Sequence, residues 1–302
     1  MSLKLNKILI LGGTGMLGHV LFSRLSLRHD LDVYATVRNS AGLEKWFSSD
    51  LMKQIKTGVD ADDFDTISRT VAAIKPGVVI NCIGLIKQLP IAEEPLPAIT
   101  INSLLPHRIA KACRDYGARM IHVSTDCVFD GMKGNYTEND PSDAKDLYGR
   151  SKFLGEVAYP HCVTLRTSII GHELKGKLGL IEWFLAQQGS VCGFKKAIYS
   201  GFPTVELARI ICDYVMQNLQ LNGVYHVSSA PVSKYDLLML VADRYGKKIE
   251  IEPFEDFVVD RSLDSSLFQK VTGYGPPSWA ELTDVMYQHY VDFGYEEKSL
   301  TS

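Results

Sequence analysis

The chain has 302 residues, 46% of them apolar and 22% charged, enough for one large α/β domain or for a nucleotide-binding domain carrying a smaller lobe. With 32 Lys plus Arg against 35 Asp plus Glu, the formal net charge is −3, which leaves no basic footprint for nucleic acid and no steady attraction to anionic membranes. The six cysteines (82, 113, 127, 162, 192 and 212) include no pair two residues apart, and they predict reduced core residues of a cytoplasmic protein. No apolar run approaches the ~18 residues of a membrane span. The opening MSLKLNKILILGG runs straight into a strand and a glycine turn, which predicts no signal peptide.

In chain order, short β-branched runs alternate with amphipathic stretches. Strands are predicted over Lys7–Leu11, Asp32–Val37, Ile55–Val59, Val78–Ile83, Arg119–Ser124 and Cys162–Arg166. Helices are predicted over Met16–Arg28, Asp62–Ile74, Ile99–Tyr116 and Leu147–Ala158. This alternation implies right-handed βαβ crossovers and a Rossmann-type doubly wound parallel sheet over residues 1–167. Beyond it the rhythm loosens. Helices over Gly179–Gln188, Thr204–Asn218, Lys234–Arg244 and Trp279–Asp292 mix with short strands at Gly223–Ser228 and Ile249–Pro253. The expectation is a smaller C-terminal α/β substrate lobe over residues 168–302, with the chain returning to the first domain near 200–228.

The first glycine turn carries the clearest chemistry. Gly12-Gly13-Thr14-Gly15-Met16-Leu17-Gly18 follows a strand and opens a helix. Glycine there permits a tight turn, a close approach of backbone to a pyrophosphate, and close helix–strand packing. The helix N-terminus then presents N–H groups and a positive dipole end to the phosphates. Gly12, Gly15, Met16, Leu17 and Gly18 are therefore candidate cofactor contacts. The second strand ends in Val37-Arg38-Asn39-Ser40, with no carboxylate for a ribose 2′-hydroxyl. Arg38 is read as the contact to a 2′-phosphate, which favours NADP(H) ahead of NAD(H); the alternative is a solvated surface arginine. Asp60 is the candidate for the adenine amino group, with Asp62 or Asp63 as substitutes, or all three serving as helix caps.

Tyr148-Gly149-Arg150-Ser151-Lys152 places Tyr148 and Lys152 four apart on a predicted helix, hence on one face. A phenol titrates near ~10 when unperturbed, and a neighbouring ammonium stabilises its phenolate. Such a pair suits general acid–base work, and the lysine can also bond a nicotinamide ribose. The fifth strand ends in Val123-Ser124-Thr125-Asp126, so Thr125 can anchor a substrate carbonyl and complete a Thr125–Tyr148–Lys152 set. The histidines show no metal-ligand spacing, and no metal site is expected. No G-x-S-x-G elbow supports serine hydrolysis.

A series of segments then resembles one family from end to end. They are GGTGMLG (12–18), INCIG (80–84), Asn102, STDCVFDG (124–131), YTENDP (136–141) and YGRSK (148–152) followed by LGE. The later part adds TLRTSIIG (164–171), GFPTVELARII (201–211), GVYHVSS (223–229), VSKYDLL (232–238) and DRSLDSS (260–266). Together they resemble the extended short-chain dehydrogenase/reductase family, in its dTDP-4-dehydrorhamnose reductase branch.

The resemblance implies an NADPH-dependent reductase of the C4 keto group of a nucleotide-linked 4-keto-6-deoxy sugar. Tyr148 would donate the proton, Lys152 would support it and bond the ribose, and Thr125 would hold the carbonyl. Cys82, Ile83, Gly84 and the backbone near residues 167–169 would line the cofactor. Asn102 would steady the sheet and helix. Val128 and Phe129 would sit beside the sugar, and Arg261 would meet the nucleotide diphosphate. The family includes homodimers, some built through acidic metal sites that have no counterpart here.

The chain departs from many relatives at Cys127, where they carry Tyr, at Asn81–Gly84, and in the loop Leu85–Pro97. Two other functions fit the same fold. One is an NAD-dependent nucleotide-sugar epimerase or dehydratase, against which Arg38 argues and towards which Asp126 points. The other is a cofactor-binding regulatory subunit without turnover, against which retention of Thr125, Tyr148 and Lys152 argues.

Overall fold

A computed structural model of the chain describes residues 6–296. Its first strands are β1 (Lys7–Leu11), β2 (Asp32–Thr36), β3 (Ile55–Lys56), β4 (Val78–Asn81), β5 (Arg119–Val123) and β6 (Cys162–Arg166). Between them lie α1 (Gly18–Leu25), α2 (Ser49–Gln54), α3 (Phe64–Ile74), α4 (Pro95–Pro97), α5 (Leu105–Asp115) and α6 (Leu147–Leu154). The later elements are β7 (Ile169–Ile170), α7 (Leu180–Ala186), β8 (Ser190–Phe194), β9 (Ala197–Tyr199), β10 (Phe202–Pro203), α8 (Thr204–Ile210), β11 (Gly223–His226) and β12 (Val232–Ser233). They continue through α9 (Lys234–Arg244), β13 (Glu250–Phe254), β14 (Val259–Asp260), α10 (Ser266–Thr272) and α11 (Trp279–Phe293).

The main sheet has seven strands in the order β11-β6-β5-β4-β1-β2-β3, and every pairing from β6 across to β3 is parallel. This is the Rossmann arrangement, with its change of direction between β1 and β4. β1 and β4 are almost wholly buried, as expected of strands covered by helices on both faces. Leu9, Leu11, Val79 and Met120 pack against Ile67 and Val71 of α3 and Ile109 and Cys113 of α5. Burying an aliphatic side chain of this size stabilises by about 1.5–3 kcal/mol relative to leaving it exposed. The crevice at a direction change, outside the strand C-termini, is where such sheets take ligands.

The chain divides into two compact units. The first runs to Ser124 and adds Lys145–Leu165 and Leu219–Val224. The second comprises Thr125–Ala144, Arg166–Asn218 and the described chain after residue 224. The second unit holds three small sheets, β10-β7, β12-β9-β14 and β13-β8, with α7 to α11.

Several elements differ from their sequence-derived limits for physical reasons. The first helix begins at Gly18, so Met16 and Leu17 belong to the turn. β3 stops at Lys56 because Gly58 takes a positive φ of 72° and swings the chain away. α6 ends at Leu154 rather than Ala158, because Gly155 lies directly against the Asn102 carbonyl and a β-carbon there would clash with it. The stretch before α5 is π-helical over Ala98–Leu104. α2, α4, α10, β7, β8, β9, β10, β12 and β14 have no counterpart among the predicted elements. Cys113, Cys162 and Cys212 are buried as expected, whereas Cys192 is exposed because β8 pairs with β13 alone and turns alternate residues outward. Among the described residues, no helix is long and apolar enough to cross a membrane.

Candidate active site

In the first unit the glycine turn is built by close approach. Gly12 takes φ 87°, which favours glycine, and its amide donates to Thr36 Oγ1 at 3.3 Å. The Gly13 amide donates to the Thr36 carbonyl at 2.9 Å, so the turn is fastened to the end of β2. A β-carbon on Gly13 would come within 2.8 Å of the Ala35 side chain, and one on Gly18 would run into the Gly12 carbonyl. Gly15 differs: a β-carbon there would meet only the Gly12 oxygen, at 3.4 Å. Leu17, at the start of α1, supplies no side-chain cap to the helix. An uncapped helix N-terminus opening beside bare backbone is a cradle into which a pyrophosphate fits.

The end of β4 passes beside this turn. Cys82 donates its amide to the Leu11 carbonyl at 3.0 Å, and a β-carbon on Gly12 would lie 3.3 Å from Cys82 and Ile83 backbone atoms. Asn81 Oδ1 accepts the Ile83 amide at 3.1 Å and so bends the strand end. Gly84 follows, exposed, and a β-carbon there would stand 3.6 Å from Lys152 Nζ. The structure thus lines up the glycine turn, residues 82–84 and Lys152 along one side of the first unit.

Lys152 is 6% exposed, and its ammonium donates to the Val123 carbonyl at 3.0 Å. Burial lowers it to about 8, against the opposing pull of Glu156 and Cys82. Burial also pushes the Cys82 thiol up to about 12, and burial with the nearby Lys152 charge holds His122 well below its ordinary value. Tyr148 is half-buried one helical turn before Lys152. The helix that carries both starts at Asp146, whose carboxylate caps it by accepting the Gly149 amide at 2.8 Å. Asn102 braces it: Oδ1 accepts from Leu85 N at 2.9 Å, and Nδ2 donates to Ser151 Oγ at 3.3 Å.

Arg38 is exposed, two residues beyond the Thr36 that anchors the glycine turn. Asp60 accepts the Asp62 amide at 3.2 Å in a local turn, and Asp63 caps α3 through the Asp65 amide at 3.1 Å. The capping alternative thus describes Asp63, while Asp60 has a turn role of its own.

The remaining candidates lie in the second unit. Thr125 is 8% exposed; its hydroxyl accepts from Cys127 N at 3.2 Å and donates to Asp126 Oδ1 at 3.3 Å. Burial pushes the Asp126 carboxyl up, against hydrogen bonds from Cys127 and Thr125 and the charge of Arg261. Val128 and Phe129 are fully enclosed with Tyr136 and Leu263, and Phe129 stacks on Tyr136 at 4.1 Å. Their side chains form a core, so any contact they make with a ligand is through backbone. Arg261 donates from Nε to the Phe129 carbonyl at 2.8 Å and from Nη2 to the Asp130 carbonyl at 3.3 Å. The sequence reading did not single out Glu156, although it lies four residues beyond Lys152 and extending the Tyr148–Lys152 spacing reaches it.

A family model described as the RmlD substrate binding domain matches residues 6–290. The chain is 24% identical over 253 residues to methionine adenosyltransferase 2 subunit beta of Danio rerio, covering 79% of this chain and 74% of that protein. It is 26% identical over 246 residues to dTDP-4-dehydrorhamnose reductase of Aggregatibacter actinomycetemcomitans, covering 73% of this chain and 84% of that one. In fold it is similar to the crystal structure of dTDP-4-dehydrorhamnose reductase from Bacillus anthracis str. Ames in complex with NADP. The TM-score is 0.77 at 21% identity, over 94% of this chain and 99% of that chain.

Proposed function

The chain belongs to the RmlD substrate binding domain family, and on that premise we propose that it is an NAD(P)-dependent oxidoreductase reducing the C4 keto group of a nucleotide-linked 4-keto-6-deoxy sugar with NADPH. The observation that carries this reading is Lys152, a buried amine held by the Val123 carbonyl beside Gly84, one helical turn after Tyr148. NADPH, when bound, supplies the hydride received by the sugar C4.

The protein's own residues do the rest. The uncapped start of α1 and Gly15 receive the pyrophosphate, with Gly12, Met16, Leu17 and Gly18 shaping the cradle. Arg38 meets the 2′-phosphate, Asp60 the adenine amino group, and Cys82, Ile83 and Gly84 line the path towards Lys152. Lys152 bonds the nicotinamide ribose, and its charge stabilises the Tyr148 phenolate as it forms. Tyr148 gives its proton to the keto oxygen as C4 gains hydride, so the carbonyl becomes a hydroxyl. Thr125 donates to the same oxygen, exchanging its present partner Asp126 for substrate. Backbone of Val128 and Phe129 borders the sugar, and the N–H groups of Arg261 not spent on carbonyls reach the diphosphate. Six unbridged cysteines suit a cytoplasmic setting.

A second reading, a cofactor-binding subunit without turnover, is favoured by the likeness to the Danio rerio subunit. The deciding experiment follows NADPH oxidation by its near-ultraviolet absorbance with dTDP-, UDP-, GDP- and CDP-linked 4-keto-6-deoxy sugars. Steady oxidation with one of them supports the reductase and names the nucleotide. NADPH binding without oxidation by any of them moves the assignment to the subunit.

A further inference from the structure

Val123, the last residue of β5, and Ser124 just after it hold two residues four apart in the chain, one in α6 and one just past its end. The Val123 carbonyl accepts from Lys152 Nζ at 3.0 Å, and the Ser124 hydroxyl donates to Glu156 Oε1 at 2.7 Å. Tyr148 and Lys152 share one face of α6, and Glu156 follows just past the helix end. The backbone at Glu156 is fixed as well, because its amide donates to the Phe153 carbonyl at 3.1 Å. Immediately after it, Val157 exchanges two hydrogen bonds with Thr164 Oγ1, at 3.1 and 2.8 Å. Glu156 is therefore anchored at both its backbone and its carboxylate, and it is half-buried. A carboxylate tethered in a medium of low effective dielectric keeps acting on the charges around it, whereas a mobile one would move into solvent and lose most of its effect.

We infer that Glu156 is a positioning residue whose carboxylate, tethered by Ser124, keeps the buried Lys152 in its ammonium form. The inference rests on the proposed partnership of Lys152 with Tyr148. Among the described residues, Cys82 just past β4, His122 of β5 and Glu156 just past α6 interact electrostatically with Lys152, and Tyr148 stands one turn before it on the same helix. Cys82 remains a thiol up to about 12, and His122 is held neutral, so neither balances the lysine at neutral pH. Burial works against the ammonium, and Glu156 works for it more strongly than Cys82 does. Without that carboxylate a larger share of Lys152 is neutral at physiological pH, and a neutral amine supports neither a phenolate nor an electrostatic grip on cofactor.

The test is Glu156→Gln, which keeps the size of the side chain and an oxygen for Ser124 while removing the charge. Lys152 is titrated directly by NMR of isotopically labelled lysine side chains, its signal assigned by its loss in Lys152→Met. The midpoint in Glu156→Gln is expected about one pH unit below that of the unaltered chain, the low end of what one nearby opposite charge produces. Glu156→Asp, which restores the charge, is expected to recover most of the difference. An unchanged Lys152 midpoint in a folded Glu156→Gln variant overturns the inference.

Should Glu156→Gln fail to fold, Ser124→Ala takes its place. Releasing the carboxylate must lower the midpoint in the same direction, and an unmoved midpoint overturns the inference equally. This readout needs no turnover, so absence of activity on every keto sugar would remove the proposed reaction while leaving the Lys152–Glu156 coupling measurable. Where turnover is found, the basic limb of its pH profile should move with the NMR midpoint.

Discussion

Gly12 and Gly18 interlock: the Gly12 carbonyl oxygen stands where a side chain on residue 18 would begin. Gly18→Ala must therefore push the helix start away from the turn. The expected loss is about 1–3 kcal/mol of stability, as for other overpacked sites, together with NADPH affinity. Gly15→Ala is the contrast, because its β-carbon would make a single contact, 3.4 Å from the Gly12 oxygen. It should leave stability within about 0.5 kcal/mol and still weaken NADPH at least ~10-fold, by occupying the place of a phosphate. Thermal melts and fluorescence titration of the two variants check this pair, and equal NADPH affinity in Gly15→Ala and the unaltered chain would count against the cradle.

Gly155 and Asn102 make a second such contact, between the end of α6 and the π-helical turn. Gly155→Ala is expected to cost about 1–3 kcal/mol, since the clashing Asn102 carbonyl belongs to the backbone of the π-helical turn. Urea denaturation should show a lower midpoint with an unchanged slope. Because Asn102 also braces Ser151 beside Lys152, the variant should lose turnover beyond what its unfolded fraction accounts for.

The pH dependence of catalysis should follow Lys152. Burial sets it at about 8, so the ammonium is present below that pH and lost above it. Reduction is expected to fall as pH rises through about 8. A rate that climbs steadily from pH 7 to 9 would contradict this sign.

Tyr148→Phe removes the proposed proton donor and leaves the ring. Turnover should drop by roughly 10²–10⁴, the usual range for a general acid, while NADPH binding stays nearly intact. Single-turnover kinetics with saturating NADPH separates the two, and an undiminished rate would remove Tyr148 from the mechanism.

Arg38→Asp should weaken NADPH far more than NADH, by about 1.5–3 kcal/mol if one charged hydrogen-bonding contact is lost. Competitive titration of both cofactors measures the ratio. Equal losses would make Arg38 a surface arginine.

The order of strands and helices in the first unit was legible because each depends on local periodicity. Buried runs such as Ile8–Leu11 and Val78–Ile80 cannot remain exposed, and the glycine turn can be written only where backbone crowds backbone. The Tyr148–Lys152 spacing was legible for the same reason, since helical geometry alone puts the pair on one face. Element ends were less so. The stop at Leu154 depends on Asn102, fifty-two residues upstream of it in the chain, and no local pattern encodes that approach.

The amino-acid sequence by itself determined the Rossmann sheet, the glycine turn and the Tyr148–Lys152 spacing, because all three follow from patterns a few residues long. Only the tertiary structure decided which carbonyl holds Lys152, that Ser124 tethers Glu156, that Arg261 is committed to the Phe129 and Asp130 carbonyls, and that the Val128 and Phe129 side chains are core. Each of these joins segments from about 30 to about 130 residues apart, and burial then converts them into charge states and fixed partners that spacing along the chain cannot express.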